Sequence, residues 1–281
     1  MATVGRGRGR GRGLLAREPQ PETETRPGSS ASGEPNVVVN NGKPESNNAP
    51  SSQESMEQIE NIMESLTLDV SENTLNNLYN LAENAAHSDE DIKKVAEILY
   101  SKFTSDREYA KTGALICEEL CKLEVNGTKF RSLLLSLVQK DYKDRNELRS
   151  KSVSKFLNNL SFMSQIFGTM RTAGGEVFKP LVGPLYECFN LVLDSQQCDS
   201  DEFECLNELI QTIGRDLEQN DREGMEQIMV KIRSKIIRQG SSPQIRCILL
   251  EIIECYNRGW KDLSNDVTRF YCDTMMDILT D

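Results

Sequence analysis

The chain contains one histidine, His87, so any reaction needing an imidazole base or ligand would depend on that residue alone. It falls at the end of a predicted helix, where an imidazolium merely complements the negative end of the helix dipole. No partner is spaced to complete a catalytic set with it. Phosphate chemistry has no better support: Asn126-Gly127-Thr128-Lys129 lacks the upstream glycine of a Walker-type loop. Of the eight cysteines, Cys117 and Cys121 lie one helical turn apart and Cys198 and Cys205 flank an acidic stretch. No Cys-x-x-Cys pair offers zinc spacing, and small buried apolar side chains account for these residues. Asp199, Asp201, Glu202 and Glu204 are dense enough to suggest calcium, but the central glycine and terminal glutamate of an EF-hand loop are missing. They read as first-turn charge at a helix N-terminus. The expectation is therefore no enzyme, no metal and no cofactor.

Binding chemistry is better represented. Arg6, Arg8, Arg10 and Arg12 alternate with glycine from Gly5 to Gly13, a pattern that meets RNA through phosphate contacts and guanidinium stacking, or else serves as a solubilising leader. Lys140, Lys143, Arg145, Arg149, Lys151 and Lys155 outnumber Asp141, Asp144 and Glu147 within one stretch. Lys231, Lys235 and Arg238 recur at helical spacing beside the apolar stripe Met225, Ile228, Met229, Ile232 and Ile236. Either patch is a solvated face or a docking surface for protein or RNA. Trp260, the only tryptophan, combines a large apolar body with a polar edge and is followed by Lys261. The partner-binding candidates are Trp260, Lys261, Lys231, Lys235, Arg238, Arg149, Lys151 and Lys155, with Arg6, Arg8, Arg10 and Arg12 as RNA-binding candidates.

The charge balance limits what these patches meet. Residues 1–55 hold seven basic and six acidic side chains, leaving 26 basic and 38 acidic beyond them, a net of −12. A domain this acidic repels nucleic acid except at a local basic patch. Within 1–55 the main apolar cluster is Val37, Val38 and Val39, too little to offset the entropy of ordering, so this segment reads as disordered. No secretory signal or membrane-length apolar run is present, and free cysteines in apolar patterns fit a reducing, cytoplasmic setting, with the nucleus as an additional location.

The elements that must position these residues are helices. Residues 56–70 form a short amphipathic pattern with Met56, Ile59, Met63 and Leu66 on one face, either a motif for a partner's groove or the first helix of the domain. From 71 to 281 helical periodicity recurs, predicting helices at 73–87, 89–104, 107–123, 128–144, 146–171, 176–193, 200–219, 222–239, 243–258 and 263–279. The clearest runs from Ser242 to Lys261. Ser242 suits an N-cap, Pro243 the first helical position and Gly259 the left-handed position past the end. Ile245, Ile248, Leu249, Ile252, Ile253 and Tyr256 share its apolar stripe. Ten helices with short connections make five antiparallel pairs of about 40 residues, the period of an all-α HEAT-type solenoid. The segment 107–123 favours a solenoid over a closed bundle: Ala110, Ala114, Cys117 and Cys121 line one face while Leu115, Ile116, Leu120 and Leu123 lie nearby, so the helix needs cover on more than one side.

Three stretches also resemble a known family. Phe156 to Phe167, Gly183 to Cys188, and Leu249 to Glu254 with Gly259-Trp260-Lys261 are similar to the middle domain of the translation initiation factor four-gamma scaffold, in particular to its small single-domain members. The resemblance covers roughly 70–281. It implies five HEAT-type repeats, no catalysis, and an adaptor linking messenger-bound proteins, such as the stem-loop-binding protein of histone messages, to initiation factors. A sibling group binds the poly(A)-binding protein through a Leu-Asn…Ala…Phe-x-Pro peptide. Here Leu75-Asn76 is followed by no matching Phe-x-Pro, and no acidic extension precedes Asp281. Weak RNA contact and a homodimer are further options that the resemblance leaves open; a membrane is not among them.

Overall fold

A computed structural model describes residues 51–196, 199–238 and 241–280. The proposed RNA-binding arginines Arg6, Arg8, Arg10 and Arg12, the Val37–Val39 cluster and Cys198 lie outside the described residues. The first helix, α1 (Ser52–Glu64), begins inside the segment expected to be disordered. Its start is a full capping box: Ser51 Oγ accepts from the Glu54 N–H, and the Glu54 carboxylate accepts from the Ser51 N–H. Ile59 and Met63 are buried, so the amphipathic face is spent within the fold, against α2 (Glu72–Ala85) and α3 (Asp89–Phe103).

Helices α2 and α3 form the first pair, α4 (Tyr109–Leu120) and α5 (Phe130–Lys143) the second, and α7 (Val153–Thr169) and α8 (Val182–Leu193) the third, with the short α6 (Arg145–Lys151) before α7. The last two pairs are α9 (Ser200–Asn220) with α10 (Arg222–Ile237), and α11 (Pro243–Asn257) with α12 (Asn265–Thr280). Two layers result. In one, α2, α4, α7, α9 and α11 lie side by side, and in the other α3 packs on α5 and α8 on α10. This is the all-α HEAT-type solenoid of five pairs expected from the periodicity. The stacking period also shows in hydrogen bonds that join equivalent positions of successive pairs: Tyr100 to Asp141, Tyr142 to Glu187, Asn207 to Glu251 and Trp260 to Glu218 span 41, 45, 44 and 42 residues.

The core runs between the layers. Phe103, Phe130, Phe156, Phe162, Phe167, Phe189 and Phe203 are fully buried along it. Each such side chain contributes about 1.5–3 kcal/mol relative to exposure. The α3–α4 approach requires a glycine, because a Cβ at Gly113 would sit 2.4 Å from the Phe103 ring. On α4 the two-sided burial holds for Ala110, Ala114, Ile116, Cys117 and Leu120, and just past the helix for Leu123, whereas Cys121 is half-buried and Leu115 exposed. On α11, Ser242 caps the N-terminus by accepting from the Ile245 N–H, and Ile245, Ile248, Leu249 and Ile252 are buried against α9 and α10.

Most predicted boundaries move by one to three residues, and three places change for a visible local reason. The single helix expected over 146–171 is two, because Ser152 is extended (φ −157°, ψ 105°) and its hydroxyl accepts from the Lys155 N–H, restarting the chain as α7. The helix expected from 128 begins at Phe130. Asn126 (φ 51°) and Gly127 (φ 87°) turn a two-residue antiparallel hairpin, β1 (Glu124–Val125) and β2 (Thr128–Lys129), ahead of it. The helix expected from 176 begins at Val182, after a bridge between Arg171 and Val177 and a 3-10 turn over Lys179–Leu181. Pro180 and Pro184 stand in that turn and in the first turn of α8, where a missing N–H costs nothing.

Candidate docking surfaces

None of the described residues weighed for catalysis or metal binding is grouped with partners for it. His87 is exposed. Among the described residues no group of three or more His, Cys, Asp or Glu side chains could hold a metal. Burial pushes the Cys188 thiol up to about 12 and the Cys255 thiol up to about 11, and it raises Cys117, Cys121 and Cys205 as well, so none of these is a ready thiolate nucleophile. The acidic stretch at the start of α9 is structural: Asp199 caps the helix by accepting from the Asp201 N–H, Asp201 pairs with Arg107 at 2.7 Å, and Glu202 is taken by Arg149.

The basic candidates separate into used and free cations. Arg149 holds Glu202 from Nε and Nη2, which joins α6 to α9 and removes it from the docking set. Lys151 is exposed and paired with Glu147, which raises its pKa through that hydrogen bond. Lys155 is exposed, and its ammonium has no partner among the described residues. In the second patch, Lys231 pairs with Asp194 at 2.7 Å. Lys235, expected to face a partner, is instead 6% exposed: its Nζ donates to the carbonyls of Leu193 (3.2 Å) and Ser195 (2.6 Å), and it stands 5.4 Å from the Phe203 ring centre. It therefore caps the carbonyl end of α8 instead of facing a partner. Arg238 is exposed at the end of α10. The patch read from the sequence as three aligned cations presents one of them, Arg238, unpaired to solvent among the described residues.

Trp260 occupies the corner after α11. The chain leaves the helix through a paired turn in which the Gly259 N–H donates to Tyr256 O and the Trp260 N–H to Cys255 O, each at 2.9 Å. Both Gly259 (φ 66°) and Trp260 (φ 60°) are left-handed. For tryptophan that conformation is strained, and the surroundings hold it in place. Trp260 Nε1 donates to Glu218 at 2.6 Å, Arg215 donates to the carbonyls of Gly259 and Trp260, and the indole lies edge to face with Tyr256 at 5.6 Å. The ring also covers Gly214, where a Cβ would approach it to 2.5 Å. Its polar edge is thus satisfied inside the molecule, by Glu218. What it builds is a wall. Between α9 and this corner runs a cleft of about 710 Å3 lined by Gln211, Thr212, Arg215, Asp216, Trp260 and Lys261. Lys261 is exposed with no partner among the described residues. The sequence reading missed the α9 side of this cleft; its one local sign was Gly214, a small residue in mid-helix immediately before Arg215 and Asp216.

Comparison with known proteins agrees with the architecture. A family model described as the MIF4G domain matches residues 56–258. The chain is 35% identical over 194 residues to a CBP80/20-dependent translation initiation factor of Xenopus tropicalis, covering 69% of this chain and 33% of that protein, so it spans about a third of that relative's length. It is 27% identical over 186 residues to a MIF4G domain-containing protein of Xenopus tropicalis, covering 64% and 82%. A MIF4G domain-containing protein of Homo sapiens is 28% identical over 176 residues, covering 61% and 79%.

Proposed function

The chain belongs to the MIF4G domain family, and from that premise we propose that it is a non-enzymatic adaptor that regulates translation by linking messenger-bound proteins to the initiation machinery. The observation that carries this reading is the corner cleft. Its walls are locked by Arg215, Glu218 and Trp260, while the Lys261 ammonium is unpaired among the described residues, an arrangement suited to holding a protein segment. The relative named as a CBP80/20-dependent translation initiation factor supports the process. On the strength of that likeness, CBP80/20 joins stem-loop-binding protein among the messenger-bound partners proposed for this chain. Such a role is exercised where translation starts, in the cytoplasm, with nuclear loading of the messenger as a second site of action.

The test tethers the full chain to a reporter messenger in a cell-free translation extract and, in parallel, precipitates it from RNase-treated extract. Precipitates are probed for initiation factors, CBP80 and stem-loop-binding protein. The expected result is a change in reporter output together with RNase-resistant recovery of an initiation factor and one messenger-bound protein. Lys261→Glu should reduce recovery while leaving the helical circular dichroism unchanged. Unaltered reporter output with no RNase-resistant partner would overturn the adaptor reading.

A further inference from the structure

An adaptor needs a second surface, and helix α5 supplies one. Its inner face buries Phe130, Leu134 and Val138, but its flanks are apolar as well. Leu133 and Leu137 stay half-buried on the α3 side, and Leu135 and Tyr142 on the α8 side. Two grooves result. The one toward α3, about 590 Å3, has Ala96, Leu133 and Leu137 in its floor and Lys93, Lys140 and Lys143 along its rim. The one toward α8, about 320 Å3, is walled by Leu135, Phe178, Pro180, Leu181 and Pro184. Ser136 and Gln139 line both grooves, so the surface continues across the crest of α5.

The charges on this surface differ from Arg149, Lys151, Lys231 and Lys235, which are paired within the fold. Lys93, Lys140 and Lys143 are exposed, and their ammonium groups have no hydrogen-bond or ion-pair partner among the described residues. Glu97 and Asp144 share the groove, leaving one positive charge in excess on a domain whose net charge is strongly negative. We propose that the α5 crest is a bipartite seat for a short linear segment of a partner protein, with an apolar anchor in the α8-side groove and adjacent acidic side chains among Lys93, Lys140 and Lys143. The apolar groove would bury side chains that a phosphate backbone lacks, and the lysines would select acidic flanks. RNA fits less well. The acidic domain opposes it, and the Tyr142 ring already carries Arg145 at 4.3 Å, so that face is not open for base stacking.

This inference rests on the adaptor reading only in supplying its second contact, and it is measured without translation. An array of fluorescein-labelled peptides carrying Leu or Phe anchors followed by runs of glutamate is titrated against the full chain by anisotropy, beside the same peptides with lysine for glutamate and beside labelled poly(U). Glutamate peptides should bind, and Lys140→Glu/Lys143→Glu should weaken them by about tenfold while improving the lysine set. Ser136→Arg, at an exposed crest position, should obstruct the anchor and weaken both sets. The seat is refuted if no peptide shows charge-dependent binding, or if the double reversal leaves glutamate peptides unaffected. Poly(U) binding that is lost on charge reversal, without peptide binding, would reassign the crest to nucleic acid.

Discussion

Arg149 grips Glu202 through two parallel hydrogen bonds, Nε to Oε1 at 2.6 Å and Nη2 to Oε2 at 2.9 Å, across 53 residues of sequence. Glu202 is 2% exposed and lies in the first turn of α9. The pair therefore fastens α6 and the third repeat to the fourth, and a residue counted as part of a basic docking face is instead a structural tie. Removing the arginine would strand a buried carboxylate. Arg149→Ala should lower unfolding free energy in urea by about 2–3 kcal/mol, below the usual range for a broken buried pair because the guanidinium side is partly hydrated. Arg149→Met combined with Glu202→Leu should recover most of that loss. A single-variant loss under ~0.5 kcal/mol would show that the tie contributes little.

Lys235 and Lys231, four residues apart on α10, should separate cleanly in stability. Lys235→Met removes the donor shared by the Leu193 and Ser195 carbonyls at the end of α8 and should cost about 1–3 kcal/mol by chemical unfolding. Lys231→Met breaks a half-exposed pair with Asp194 and should cost less than about 1 kcal/mol. Equal effects would contradict the capping role assigned to Lys235.

These two lysines also mark how far the sequence can be read. The helix starts were legible because they are local: Ser88 and Ser242 cap α3 and α11 by accepting from the N–H three residues on, and Gly259 takes the left-handed position. Ser152 carried the same kind of signal but stood inside an uninterrupted apolar pattern, which concealed the break between α6 and α7. The Asn126-Gly127 dipeptide gave little indication of a hairpin, since its strands are two residues each. The site was less legible. Whether a cation is free depends on what the neighbouring repeat places opposite it, and the partners of Arg149, Lys235 and Arg145 lie 53, 40 to 42 and 42 residues away. Counting charges along a helix does not reach that far.

Alkaline pH should loosen the fold through Cys188. Burial raises this thiol from 9.0 to about 12, so the folded state favours the protonated form. The associated stability is complete below the unfolded value near pH 9 and is lost progressively as pH rises toward 12. The Cys255 thiol, raised from 9.0 to about 11, acts in the same direction. Thermal midpoints measured between pH 8 and pH 11 should fall in the upper half of that window, and Cys188→Ala should fall less steeply from its own lower starting point. Parallel slopes for the two proteins would exclude Cys188 as a source of the dependence.

Gly214→Ala tests the corner cleft at its tightest contact. In an exposed helix interior, glycine to alanine is favourable by about 1 kcal/mol, so propensity alone predicts a more stable protein. Here the added methyl would meet the Trp260 ring at 2.5 Å, and the indole must move or α9 and α11 must separate. Movement of the ring would break the 2.6 Å hydrogen bond from Nε1 to Glu218 and hydrate a side chain that now walls the cleft. Trp260 is the sole tryptophan, so its emission reports this corner without interference. The expected outcome is a red-shifted emission maximum together with a lower unfolding midpoint, the reverse of the propensity effect. Stabilisation with unchanged emission would mean that the indole does not cover Gly214, and the cleft would lose the wall on which its proposed docking role depends.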